Sequence, residues 1–159
     1  MDLTFKTDSG VFNYRVAAII INNGRLLVMK NDHSPYYYLP GGRVNMHETA
    51  EEAIVREIKE ELCTHSAIIR PLWFNQGFFV EDVTNEKFHE LCIYFLVDIE
   101  NIELIQNRNN FKTRQYKNNE IFSWLNLDCL EDEYIYPLFI KKAIKNLPNH
   151  IEFIVDREY

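Results

Sequence analysis

The sequence has no apolar run long enough to cross a bilayer. Residues 16–21 stop at Asn22 and residues 91–97 stop at Asp98, whereas a spanning helix needs about 20 such residues. Its start, Met1-Asp2-Leu3-Thr4-Phe5-Lys6, lacks a basic region leading into an apolar stretch, so no export signal is expected. Cysteine is scarce. Cys63, Cys92 and Cys129 are odd in number, widely spaced and without a C-x-x-C; this argues against a disulfide scaffold or a thiolate zinc site and points to reduced thiols in a cytoplasmic protein. A basic excess is absent too. Against 24 Asp and Glu there are 17 Lys and Arg, a formal charge of −7, which disfavours nucleic acid and anionic membranes as partners. The histidines at 33, 47, 65, 89 and 150 form neither H-x-x-x-H nor H-E-x-x-H, and no P-loop or G-x-G-x-x-G occurs, so zinc hydrolysis, P-loop chemistry and Rossmann binding lose their support. With no repeat and no linker-like composition, a single domain over residues 1–159 is expected.

What the sequence holds is an alternation of short strands with two helical stretches. Residues 15–21 are rich in Val and Ile and predict a buried strand, and Asn22-Asn23-Gly24-Arg25 predicts a tight turn into a return strand over 26–30, because Asn and Gly tolerate positive φ. A short aromatic strand is expected over 36–39, ended by Pro40-Gly41-Gly42. The clearest helix runs from about 48 to 62, capped by Thr49 or by Asn45. Strands are expected over 67–69, 72–80, 88–97 and 121–125, with 81–87 as a hairpin link and the Asn-rich stretch 101–119 as a long loop. Pro137 opens a second helix to about 147, and 151–155 closes the chain as a strand. Together these predict an α/β sandwich with a mixed sheet.

The first helix carries the chemistry. On a helical wheel Ile54, Ile58 and Leu62 form an apolar stripe, and Glu57, Glu60 and Glu61 form a second stripe directly beside it. These carboxylates should therefore stand at a half-buried edge. Their like-charge spacings of three and four residues each cost about 0.2–0.5 kcal/mol, in the half of the helix whose dipole disfavours anions. Protonation or a cation would relieve the strain, and hard oxygen ligands on one face suit Mg²⁺ or Mn²⁺. Glu51 and Glu52 read as a solvated face, with Glu52 four residues before Arg56 as a surface pair.

The segment Gly42-x5-Glu48-x7-Arg56-Glu57-Ile58-x-Glu60-Glu61-x-Cys63-Thr64 resembles the Nudix box, G-x5-E-x7-R-E-U-x-E-E-x-G-U with U a bulky aliphatic. Six of its seven fixed letters match, an agreement expected by chance about once in ten million placements. Leu39-Pro40-Gly41-Gly42 is similar to the family's usual lead-in. Cys63 replaces the Gly that ends the family's helix, and Thr64 replaces the last aliphatic; if Cys63 adopts a positive φ, the strain is about 1 kcal/mol.

The resemblance implies a Nudix-like α/β/α sandwich and a divalent-metal-dependent hydrolase cleaving a diphosphate bond in a nucleoside diphosphate linked to another group. Carried onto this chain, Glu57, Glu60 and Glu61 are the expected ligands of Mg²⁺ or Mn²⁺, joined by the carbonyl of Gly41 or Gly42. Glu57 also accepts a proton from the attacking water, Arg56 orients a box glutamate, and Glu48 holds loop to helix. The family adds a base from outside the box; Glu120 is the first candidate, before Glu86 and Glu90. Tyr36, Tyr37, Phe78 and Phe79 are candidates for stacking on a base, and Arg43 for touching a phosphate. The expected partner is a small nucleotide-type molecule, bound by a monomer or homodimer. The alternative is a Nudix-fold sensor or interaction module without catalysis, from which the retained glutamates distinguish this chain. Oxidised nucleoside triphosphates, nucleotide sugars, ADP-ribose and dinucleotide polyphosphates all remain open as substrates.

Overall fold

A computed structural model describes residues 1–113 and 119–159. Its centre is a six-stranded mixed sheet. Strands β1 (Thr4–Thr7) and β2 (Gly10–Ile19) pair antiparallel; after β3 (Ile21–Asn22) and β4 (Arg25–Lys30), the short β5 (Gly41–Arg43) also pairs with β2. Strands β6 (Ser66–Val80) and β7 (Lys87–Ile99) form a long antiparallel hairpin, β7 runs parallel to β2, and β9 (Glu152–Arg157) runs parallel to β6. A second sheet has the order β3-β4-β8, with β8 spanning Ile121–Asn126. Helix α1 (Ala50–Leu62) lies on one side, and α2 (Ile140–Ala143) belongs to the C-terminal packing. The core divides accordingly. Ile54, Ile58, Phe95 and Trp124 belong to one buried cluster with α1, and Leu72, Trp73, Tyr94 and Ile140 to another.

The Asn-Gly turn forms as its residue types require, with Asn23 at φ 50° and Gly24 at φ 70° between β3 and β4. Helix α1 starts at Thr49, not Asn45: the Thr49 hydroxyl accepts from the Glu52 amide at 3.1 Å, and the Glu52 carboxylate accepts from the Thr49 amide at 2.9 Å. That reciprocal cap draws Glu52 away from the surface pair with Arg56 expected from spacing.

Several boundaries differ from the sequence expectation. Residues 36–39 do not form a strand and contribute only single bridges, Tyr38 to Met29 and Tyr37 to Ile135, while the glycines after them pair as β5. The two strands expected over 67–80 are one, with register shifts around Arg70 and Pro71, where proline has no amide hydrogen for the ladder. The second helix shrinks to one turn because the flanking bonds, such as Ile140 to Pro137 and Lys145 to Lys142, span three residues instead of four. The long loop holds a short 3₁₀ turn at Ile102–Leu104, and its residues 114–118 lie outside the described residues. No helix among the described residues is long and apolar enough to cross a membrane.

Candidate active site

Strand β5 delivers two glycines to the edge of α1. Gly41 has φ +146°, and a Cβ there would stand 2.2 Å from the Val16 carbonyl oxygen, so the close pairing of β5 with β2 depends on glycine. Its amide donates to Glu61 Oε2 at 3.0 Å. Gly42 lies under Glu57: a Cβ would meet the carboxyl carbon of Glu57 at 2.3 Å.

Arg56 organises the same edge. Its guanidinium binds Glu48 bidentately, Nε to Oε1 at 2.7 Å and Nη2 to Oε2 at 2.9 Å, while Nη1 reaches Glu57 Oε1 at 2.6 Å and Nη2 donates to the Arg43 carbonyl at 3.0 Å. Glu48 in turn accepts the Asn45 amide at 2.9 Å. One side chain thus ties the loop before α1, the β5 backbone and Glu57 together, as only a planar multi-donor fork does. Arg56 holds the Glu48 carboxyl below its usual range. Glu60 is more open, 40% exposed, with an oxygen 3.8 Å from Arg56 Nη1.

Glu61 is the strained member. Burial, with repulsion from Glu57 and then Glu120, pushes its carboxyl well above the ordinary range, and the Gly41 amide only partly offsets this. Its backbone carbonyl accepts from Thr113 Oγ1 at 2.5 Å. Glu120, from just before β8, therefore stands within electrostatic reach of the box. The other outside candidates do not: Glu86 pairs with Lys6, and Glu90 lies on β7 beside Arg15 and Asn13. Among the described residues no three carboxylate, imidazole or thiol groups already converge as a metal cage. The donor set nevertheless fits a hard dication, because Glu57 and Glu120 both act on the buried Glu61 carboxyl as like charges, and the Gly41 amide and Arg15 only partly offset them. Cys63 ends α1 at φ 55° and ψ 33°, its amide bonded to the Lys59 carbonyl at 3.1 Å; the cysteine occupies the left-handed position that glycine fills at many helix ends.

Beside this edge opens a cavity of about 540 Å³, within the size range of small-molecule sites. Strand register builds its floor. One rung sets Asn13 beside Glu90, Glu90 beside Gly77, and Gly77 beside Asp156; the next sets Arg15 beside Cys92 and Cys92 beside Asn75. Burial opposes the charge of Arg15, but Glu90, Cys92, Tyr94 and Glu61 together outweigh it and hold the guanidinium protonated. Arg43 lines the cavity and pairs with Asp2 at 3.5 Å. Of the four aromatic candidates, Tyr36 and Phe79 line this cavity. Tyr37 and Phe78 are not brought there: Tyr37 lines a separate hollow with its ring under Lys30 Nζ at 5.2 Å, and Phe78 lies under Arg157 at 4.5 Å. Side chains alternate along a strand, so Asn75, Gly77 and Phe79 share the cavity face and Phe78 points to the other. The sequence reading missed Arg15, Asn13, Asn75 and Asp156. Their signal was polar residues at alternate positions within otherwise apolar strands.

The pattern of the NUDIX domain matches residues 12–143, which takes in most of β2, the box and β8. The chain belongs to the Nudix family. An ADP-ribose pyrophosphatase of Methanocaldococcus jannaschii is 34% identical over 87 residues, covering 53% of this chain and 49% of that protein; the matched region thus spans about half the length of this curated relative. The Nudix fold extends over nearly the whole chain. The structure of a MutT protein from Bacillus halodurans superposes with a TM-score of 0.62 at 11% identity, covering 92% of this chain and 91% of that one. A NUDIX hydrolase from Nitrosomonas europaea gives 0.60 at 14% identity, covering 92% and 79%. At such identities the superpositions speak for the fold alone.

Proposed function

We propose that this Nudix chain is a Mg²⁺- or Mn²⁺-dependent hydrolase that cuts a diphosphate bond in a nucleoside diphosphate linked to another group, working as one domain in the cytoplasm, as a monomer or homodimer. The observation that carries the reading is the Glu61 carboxylate, tethered to the Gly41 amide and crowded by Glu57 and Glu120. The name of the archaeal relative, an ADP-ribose pyrophosphatase, supports the same reaction class.

Glu57, Glu60 and Glu61, with the Gly41 carbonyl, would hold the dication. When bound, it neutralises phosphate charge and lowers the pKa of coordinated water. Arg56 keeps Glu57 in place, and Glu48 keeps Arg56 in place. Glu120 takes the proton of the attacking water, with Glu57 as the alternative acceptor. Arg43 and Arg15 face the cavity and favour the anionic part of a substrate. Tyr36 and Phe79 offer aromatic faces to its organic part.

The test is a panel of nucleotide derivatives assayed with Mg²⁺ and Mn²⁺, with products identified. Turnover is expected for at least one of them, lost in Glu57→Gln and Glu61→Gln while the fold survives. Unchanged rates in either variant defeat the assignment. Binding across the panel without turnover replaces the enzyme by a ligand sensor.

A further inference from the structure

The cavity is electrically lopsided. At the end near the box its charges are matched: Arg43 pairs with Asp2 and Arg15 neighbours Glu90. At the far end stand Glu81, Asp82, Asp156 and Glu158, and no basic side chain of the described residues lines that end. Among the described residues the Asp156 and Glu158 side chains make no hydrogen bond or ion pair, and partial burial raises the Asp156 carboxyl above its ordinary range. Glu81 and Asp82 hold an aromatic wall. The Tyr36 hydroxyl donates to Glu81 Oε1 at 2.7 Å and the Tyr136 hydroxyl to Asp82 Oδ2 at 3.1 Å, and the two rings meet edge to face at 5.0 Å.

Independently, Asn75 points to a ligand. It is only 3% exposed, and among the described residues its side chain makes no hydrogen bond and its buried Oδ1 has no partner. Its Nδ2 lies over Gly77, 3.4 Å from where a Cβ would be, in the side-chain-free gap between Glu90 and Asp156. A buried amide left unpaired in this way costs about 1–3 kcal/mol, which a polar group of a bound molecule would recover.

We infer that the cavity selects a diphosphate substrate whose buried end is positively charged, seated between the Tyr36–Tyr136 wall and the carboxylates of Asp82, Asp156 and Glu158, with Asn75 bonding its polar atoms. The inference rests on the hydrolase reading for the position of the diphosphate. An anionic molecule entering a cavity with four unmatched carboxylates is repelled unless its far end supplies a compensating charge. Aromatic faces with carboxylates behind them are the surroundings that hold ammonium and delocalised cations. A neutral sugar can donate hydroxyl hydrogen bonds to those carboxylates but leaves their charge uncompensated.

The charge can come from an alkylammonium group on the alcohol side or from a cationic ring on the nucleoside side, and matched pairs separate the two. CDP-choline against CDP-glycerol tests the first; NAD⁺ against NADH tests the second. For each pair kcat/KM is measured with Mn²⁺, and Kd by calorimetry with Ca²⁺ in its place. The cationic member of at least one pair is expected to lead by tenfold or more. That ratio should fall at least fivefold in Asp156→Asn/Glu158→Gln, and Asn75→Leu should raise KM for the favoured member more than it lowers kcat. Equal constants within both pairs, failure of all four compounds to bind at millimolar concentration, or a ratio unmoved by the double variant would overturn the inference. Preferential binding of a cation without hydrolysis of any compound would support it while removing the hydrolase reading.

Discussion

The carboxylate of Glu57 fills the space that a side chain on Gly42 would need, its carboxyl carbon 2.3 Å from the position of a Cβ. Gly42→Ala therefore leaves every charged residue of the box intact and still moves one of them. A misplacement of about 1 Å at a reacting centre can cost 100-fold in rate. A fall in kcat/KM of that order is expected, with a melting temperature within a few degrees of the parent, because only the mobile end of a side chain is displaced. Steady-state kinetics beside a thermal melt checks both halves.

Glu61→Gln is expected to act in opposite directions on stability and activity. Without metal, removing a carboxylate that is buried and repelled by Glu57 and Glu120 relieves the cost that lifts Glu61, so the variant should melt at or above the parent temperature. With Mn²⁺, the parent should gain stability as its site fills and the variant should gain much less, since stabilisation follows RT ln(1 + [L]/Kd). Two thermal melts, with and without Mn²⁺, read both effects. A parent insensitive to Mn²⁺ contradicts the assigned ligand set.

Cys63→Gly should stabilise the protein. The left-handed conformation at φ 55° costs a side-chain-bearing residue about 1–2 kcal/mol, partly offset by the larger unfolded-state entropy of glycine, about 0.4–1 kcal/mol. A net gain of about 0.5–1 kcal/mol corresponds to roughly 1–4 °C for a chain of this size. Denaturant melts of the two proteins measure it, and a loss of stability would mean that the thiol makes a contact worth more than the strain.

The Glu48–Arg56 bond gives a prediction in pH. Because the folded protein holds Glu48 below its usual range, this carboxylate stabilises the fold fully above the unfolded value of about 4.3 and loses that effect as pH falls through the folded value. Glu48→Gln should thus be less stable than the parent at pH 7, by about 1–3 kcal/mol, with the difference shrinking progressively below about pH 4. Chemical unfolding at a series of pH values shows whether the two curves converge on acidification.

Much of the site was legible because the box is local. Its residues lie within 23 positions, Gly42 to Thr64, and helical periodicity alone puts Glu57, Glu60 and Glu61 on one edge. Residues that meet across strands were harder. Arg15, Asn75 and Asp156 become neighbours only through the register of β2, β7, β6 and β9, and register depends on which strands pair, not on spacing along the chain. Phe78 and Phe79 illustrate the limit: composition offers two adjacent rings, and a shift of one residue decides which faces the cavity. The single turn of α2 was obscured for a related reason, since bonds over three and over four residues arise from similar sequences.

The bond from Thr113 to the Glu61 carbonyl ties the far end of the acidic helix to the stretch that leads toward Glu120. Insertions or deletions in that connection would pull on the helix terminus and on the outlying glutamate together. Under the proposal that Glu120 is the base, relatives that differ there in length would have to relocate it or rebuild the helix stop, so loop length becomes a handle on how the proposed reaction is run.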